Sequence, residues 1–255
     1  MILFTYKTLG GKIQAIYHRN LTYQKEISNG FYKEVLENKQ INSLTGLRRI
    51  GKTTLMKQVI ANLLKKGANP KTIIYFSFDQ PTVQENANTL ETIIDFFTKE
   101  IVVQNINRLK QPLYFFLDEI QLIPYWQDII KRYYDLNLPL KFVVSGSSSL
   151  FVFEKSKESL AGRIFSFMLP VFSFEEYQRI TNNNNFEEYL NFGQFPELWD
   201  FSDQTKKITY LKDSIIAKVL EVDIVKLYKL RKTYDFERLF WSLLPNTGQI
   251  IKSSN

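Results

Sequence analysis

The sequence predicts an α/β fold: a parallel five-stranded sheet covered by helices on both faces, followed by a small all-α region. Three observations predict it. Five short segments are almost continuously apolar, as strands buried on both sides must be. Between several of them, apolar residues return at helical spacing. After Pro170 the strand pattern stops and only helical periodicity remains.

QINSLTG (40–46) is the first strand. KTTLMKQVIANLLKK (52–66) is a helix with Leu55, Met56, Val59, Ile60, Leu63 and Leu64 on one side; Gly67 is placed to end it and Pro70 lies just beyond. TIIYFSF (72–78) is the second strand. A helix follows from Asn88, where Asn88 and Glu91 have the spacing of a reciprocal cap. LYFFLDE (113–119) is the third strand. Pro124 opens the next helix, which carries Trp126, Ile129, Ile130 and Tyr133 on one side. KFVVSGS (141–147) and IFSFML (164–169) are the fourth and fifth strands. Ser173 and Glu176 form a capping box, and the chain then reads helical over 173–181, 186–192, 203–222 and 235–244. Asn182–Asn185 reads as a loop tip. The expected domains are therefore 1–175 and a helical 176–255.

Composition narrows the chemistry. With 255 residues, 44% of them apolar and 15% aromatic, the chain can bury a full core. The absence of cysteine excludes disulfides and cysteine-ligated zinc. A single histidine, His18, excludes the two-histidine HExxH metal site and reads as a surface residue. No apolar run approaches the ~20 residues of a membrane span, and MILFTYKTLGGK is unlike a secretory signal. The expectation is a cytoplasmic protein with no membrane partner. The net charge of +7 suits an anionic ligand or nucleic acid.

Gly46-Leu-Arg-Arg-Ile-Gly51-Lys52-Thr53 matches G-x-x-x-x-G-K-[ST] between a strand and a helix, the context that motif requires. Gly46 and Gly51 let the backbone turn tightly and approach phosphate oxygens without a Cβ in the way. The loop's N–H groups and the helix N-terminus then face the anion. Lys52 is a compact cation for the β- and γ-phosphates, and Thr53 offers a hydroxyl to Mg²⁺. Gly46, Arg49, Gly51, Lys52, Thr53 and Thr54 are the candidate nucleotide-binding residues of this stretch. Arg48 and Arg49 occupy variable positions and read as solvent or rim contacts.

Phosphoryl chemistry also needs a metal carboxylate and a group to position water. Asp118 and Glu119 end the third strand: Asp118 is the candidate Mg²⁺ residue, and Glu119 the base that takes a proton from attacking water. The fourth strand ends in hydroxyls, so Ser145, Ser147 or Ser148 is placed for the γ-phosphate or the lytic water, with Ser147 the nominated residue. Arg163, in LAGR (160–163), either reaches the γ-phosphate in cis or across an oligomer, or is a surface arginine.

GLRRIGKTTL, FFLDEIQLIPYW, FVVSGSSSL, SLAGRIFSFMLPVFSFEEY and GQFPEL, spread over 46–198, resemble the prokaryotic AAA-like ATPases often found with a C-terminal domain of unknown function. That family lies close to the archaeal ATPase group within the AAA+/STAND-type P-loop NTPases. The resemblance implies a P-loop NTPase fold of the additional-strand, catalytic-glutamate type, with Asp118/Glu119 as its Walker B pair and a polar sensor near Ser147. It also implies that YHRNL (17–21) corresponds to an N-terminal arginine element, which would put Tyr17 and Arg19 near the nucleotide base. Relatives continue into a winged helix. DFERLFWSLLPNTGQIIKSSN (235–255) reads as its first helix, so the sequence is either a piece of a longer chain or a short form.

The function expected is a Mg²⁺-dependent, ATP-hydrolysing switch with ATP/ADP and Mg²⁺ as cofactors. No Asn-Lys-x-Asp guanine motif is present, which favours ATP. The alternatives are a nucleotide-gated regulator of DNA or protein with little turnover, and a small-molecule kinase. A nucleic-acid or protein partner would meet the helical part through Lys206, Lys207, Lys212, Lys218, Lys226, Lys229, Arg231 and Lys232, although a solvated helical face explains the same lysines. The oligomeric state is left open.

Overall fold

Five parallel strands form where the apolar runs lie. The computed structural model describes residues 27–79, 88–98, 112–147, 159–228 and 233–249. The strands are β1 (Ile41–Thr45), β2 (Ile73–Ser77), β3 (Leu113–Asp118), β4 (Leu140–Ser145) and β5 (Ile164–Met168). Their spatial order is β2-β3-β4-β1-β5, and every neighbouring pair is parallel. All five carboxyl ends therefore reach the same edge of the sheet. The register pairs Ile41 with Ile164, Leu44 with Ser145, and Ser77 with Asp118.

Strand alternation splits the apolar residues between two cores. Leu113, Phe115 and Leu117 of β3 pack with Phe142 and Val144 on one face; Tyr114 and Phe116 pack with Val143 and Leu44 on the other. The first face is covered by α3 (Thr89–Phe96) and α4 (Trp126–Asp135), through Leu90, Ile93, Ile94, Trp126, Ile129 and Ile130. The second is covered by α1 (Ile27–Glu37) and α2 (Lys52–Lys65). The sequence reading did not identify α1, which buries Phe31, Tyr32 and Val35. Lys141 of β4 donates to the Val35 and Asn38 carbonyls at its end, and burial lowers the pKa of that ammonium.

The helix ends follow local rules with two exceptions. Gly67 (φ 87°) closes α2: its N–H donates to the Leu64 carbonyl and the Ala68 N–H to that of Leu63, the paired bonds of a Schellman stop. Ser173 and Glu176 form the expected reciprocal cap on α5 (Phe174–Thr181). The cap expected at Asn88 does not form, because Glu91 turns to Arg132 of α4 and the Asn88 side chain makes no capping bond. Pro124 lies ahead of α4 rather than inside it; the helix starts at Trp126 after Tyr125 in the left-handed region.

The chain divides into two compact units at Asp200–Phe201, later than the boundary expected near 175. The residues following β5 stay with the sheet unit: the Leu169 N–H donates to the Thr45 carbonyl of β1, and the stretch beyond is bonded together across position 175. Phe172 N–H donates to the Gln194 carbonyl at 3.2 Å, Tyr189 Oη donates to the Phe172 carbonyl at 2.9 Å, and the Phe172 and Trp199 rings meet edge to face at 5.1 Å. The second unit is helical. Asp203 caps the run 204–228, in which α-helical turns (Gln204–Tyr210, Val225–Tyr228) alternate with π-helical ones (Leu211–Ile216, Val219–Ile224). The helix α6 (Thr233–Leu243) follows. Lys206, Lys212 and Lys218 are exposed, whereas Lys207 is buried. Among the described residues, no helix is long and apolar enough to cross a membrane.

Candidate nucleotide-binding site

β1 ends at Thr45, and the chain turns through 46–51 into α2. Gly46 has φ 146°, and a Cβ there would lie 2.5 Å from the Leu169 carbonyl oxygen, so the turn closes only around glycine. Gly51 has φ 95° and caps α2; a Cβ there would meet nothing within 4 Å, so the loop faces open space at that point. Arg49 also adopts the left-handed region (φ 62°), and its guanidinium lies 2.5 Å from Glu197 Oε2. Lys52 is 5% exposed, and its ammonium donates to the Gly46 carbonyl at 3.1 Å and the Leu47 carbonyl at 2.7 Å. The cation is thus held inside the curl of the loop. Thr53 and Thr54 are half-buried in the first turn of α2.

Alternation along β3 puts Asp118 on the α2 face, with Tyr114 and Phe116. Its carboxylate is 2% exposed and accepts three hydroxyl bonds. Thr53 Oγ1 donates to Oδ2 at 2.7 Å, Tyr75 Oη to Oδ2 at 2.8 Å, and Ser145 Oγ to Oδ1. Glu119 follows with its backbone in the left-handed region (φ 55°). Its N–H donates to Ser145 Oγ at 3.3 Å, and its Oε2 accepts from Gln121 Nε2 at 2.5 Å. Burial, then the neighbouring Asp118 charge, raises the pKa of the Tyr75 phenol, so it remains a donor at any physiological pH.

The expected residues divide as follows. Gly46, Gly51, Lys52, Thr53, Asp118 and Glu119 come together at one end of the sheet. Ser147 is buried just beyond the end of β4, at that same edge. Ser145 is committed to Asp118 instead of standing open for a ligand. Arg163 does not join them. Its carbonyl accepts from the Ile41 N–H, which fixes it at the opposite end of β1, about 13 Å of strand from Thr45. Its guanidinium lies on Asp135 at 2.8 Å. A contact in cis with a loop-bound phosphate is excluded by that placement. Arg163→Ala is accordingly expected to leave ATP turnover unchanged in a phosphate-release assay; a large loss would require contact across subunits. Tyr17, Arg19 and Ser148 lie outside the described residues.

Sequence reasoning missed Tyr75 and Gln121. The signal for Tyr75 was a single phenol in the apolar run TIIYFSF; for Gln121 it was an amide two residues after Glu119.

The donor set suits a small hard cation. A hydroxyl and a carboxylate are the protein's usual share of a magnesium site whose other ligands are phosphates and water. Among the described residues, no group of three or more His, Asp or Glu side chains is placed to hold a metal without such help.

Fold and loop together define a P-loop domain of the AAA type. A family model for an AAA domain matches residues 38–178, more than half of the chain, and the chain belongs to that family. Residues 183–255 match a second family, described as a domain of unknown function. The chain is 24% identical over 224 residues to an uncharacterised protein of Haemophilus influenzae, covering 84% of this chain and 53% of that one. It is 28% identical over 200 residues to an uncharacterised protein of Methanocaldococcus jannaschii, covering 76% of this chain and 38% of that one. It thus spans about half the length, or less, of these curated relatives. Among solved structures, it is similar to a Walker-type ATPase of Pyrococcus abyssi (15% identical, TM-score 0.45, covering 88% of this chain and 76% of that one). It is also similar to AMPPCP-bound DnaA from Aquifex aeolicus (14% identical, TM-score 0.39, 85% and 63% covered).

Proposed function

We propose that the protein binds ATP with Mg²⁺ in the cytoplasm, hydrolyses it, and uses the cycle as a switch. The observation that carries the proposal is the 2.7 Å bond between Thr53 and Asp118, which joins the glycine loop to the neighbouring carboxylate strand. Magnesium, when bound, would neutralise charge on the phosphates, with Thr53 and Asp118 as its protein ligands. The protein's own groups do the rest. Lys52 exchanges its two loop carbonyls for phosphate oxygens. Backbone amides around Gly51 accept the anion at the start of α2. Glu119 takes the proton of the attacking water on its carboxylate, and Ser147 contacts the γ-phosphate. Arg49, Thr54 and, from the segment before α1, Tyr17 and Arg19 complete the nucleotide's surroundings. A protein or nucleic-acid partner would be reached through the helical unit of 201–255.

The test is phosphate release from ATP. Release in Mg²⁺ that stops with EDTA is expected. Binding of ATP with no release, with or without DNA, would leave the nucleotide-gated regulator as the better reading.

A further inference from the structure

The hydroxyl cage around Asp118 contains a member that the loop motif does not demand. Asp118 sits at the tip of β3, with β2 on one side and β4 on the other. Donors reach it from both sides and from above: Tyr75 from β2, Ser145 from β4 and Thr53 from α2. A carboxylate has about four lone-pair sites, so three donors leave one. They also fix the rotation of the carboxylate about its Cβ–Cγ bond, because both oxygens are engaged from different elements.

The reach of Tyr75 is specific. The residue of β2 in register with Asp118 is Ser77, not Tyr75. Ser77 gives its hydroxyl to Asp79 at 2.9 Å. Tyr75 is two residues earlier on the same face of the strand, and its ring spans the gap. The ring is itself held: the Lys57 ammonium, from α2, stands 5.5 Å from its centre. A long, rigid side chain with two rotatable bonds thus brings one hydroxyl to Oδ2, beside the Thr53 hydroxyl.

We propose that Tyr75 is a positioning residue for the magnesium-binding carboxylate, fixing the Asp118 rotamer before the metal arrives. The proposal rests on the ATPase reading above and adds to it a contribution from β2. Outer-shell donors of this kind typically change metal affinity by 10–100-fold.

The test uses Tyr75→Phe, which removes the hydroxyl and keeps the ring. A fluorescent non-hydrolysable ATP analogue is titrated with EDTA and with saturating Mg²⁺, and the tightening produced by the metal is the readout. In the variant, binding in EDTA and the nucleotide-free melting temperature are expected to stay at wild-type values, while the magnesium gain falls about tenfold. An unchanged or larger gain overturns the proposal. So does an equal loss of binding in EDTA, which would make Tyr75 a structural residue only. In an Asp118→Asn background, Tyr75→Phe should reduce the gain no further; an additional fall means that Tyr75 acts elsewhere, and overturns it too. A wild-type protein that binds no analogue, or gains nothing from magnesium, overturns the ATPase reading itself, whatever Tyr75 does.

Discussion

Lys52→Ala is expected to weaken ATP binding by about 100-fold or more while leaving the far-ultraviolet spectrum unchanged. Hydrogen bonds from a charged group contribute ~1.5–3 kcal/mol each, and a tenfold change in affinity is about 1.4 kcal/mol. Losing two such bonds to phosphate oxygens reaches that range. The structural cost is local. Lys52 bonds to the loop carbonyls of Gly46 and Leu47, and the loop faces open space beside Gly51. Water can reach carbonyls left behind there, so the two cores, which do not depend on this side chain, remain intact. Isothermal titration alongside circular dichroism checks both halves of the expectation. Unaltered affinity would refute the site.

Glu119→Gln should behave in the opposite way, keeping ATP and stalling turnover. The substitution preserves shape. The glutamine side chain still offers an oxygen to Gln121 Nε2, and the main-chain bond from residue 119 to Ser145 is untouched. What disappears is the ability to take a proton. General-base catalysis contributes typically 10²–10⁴-fold, so phosphate release should fall by about that factor with nucleotide affinity retained. Turnover at the wild-type rate would remove Glu119 from the chemistry and shift the role to a group outside the DE pair. Measuring both quantities on one preparation separates a lost base from a lost site.

How much of this was legible in the sequence depends on how local each signal is. The central strands β3 and β4 were readable because strands buried on both faces must be continuously apolar, as in LYFF and KFVV; β5, at the edge of the sheet, leaves Phe165 and Met168 exposed. The loop was readable because phosphate geometry demands glycine at Gly46 and Gly51. α1 was not: Phe31, Tyr32 and Val35, which it buries, make a short stripe, and Gly30, a poor helix former, stands just ahead of them. Asn88 misled because capping competes with a tertiary partner, and Glu91 goes to Arg132. For Arg163 the sequence does not decide between a phosphate contact and a surface position, because proximity in sequence to a strand does not tell which end of the sheet it reaches; the register of β5 on β1 places it at the end away from the loop. Tyr75 illustrates the general limit. Nothing around it in the chain points to Asp118, 43 residues away, and only the pairing of β2 with β3 brings them together.

The position of β1 also sets a schedule for making the protein. Its two neighbours, β4 and β5, begin at Leu140 and Ile164, roughly a hundred residues downstream. A ribosome adds about 5–20 residues each second, so the newborn strand waits several seconds with both edges bare. Ile41–Thr45, wholly buried at the end, spends that interval without a companion. Helical hairpins can form as they emerge; this centre cannot. The glycine loop therefore has no finished frame around it until β5 has left the exit tunnel, and in the meantime the bare edges of β1 are open to pairing with other chains.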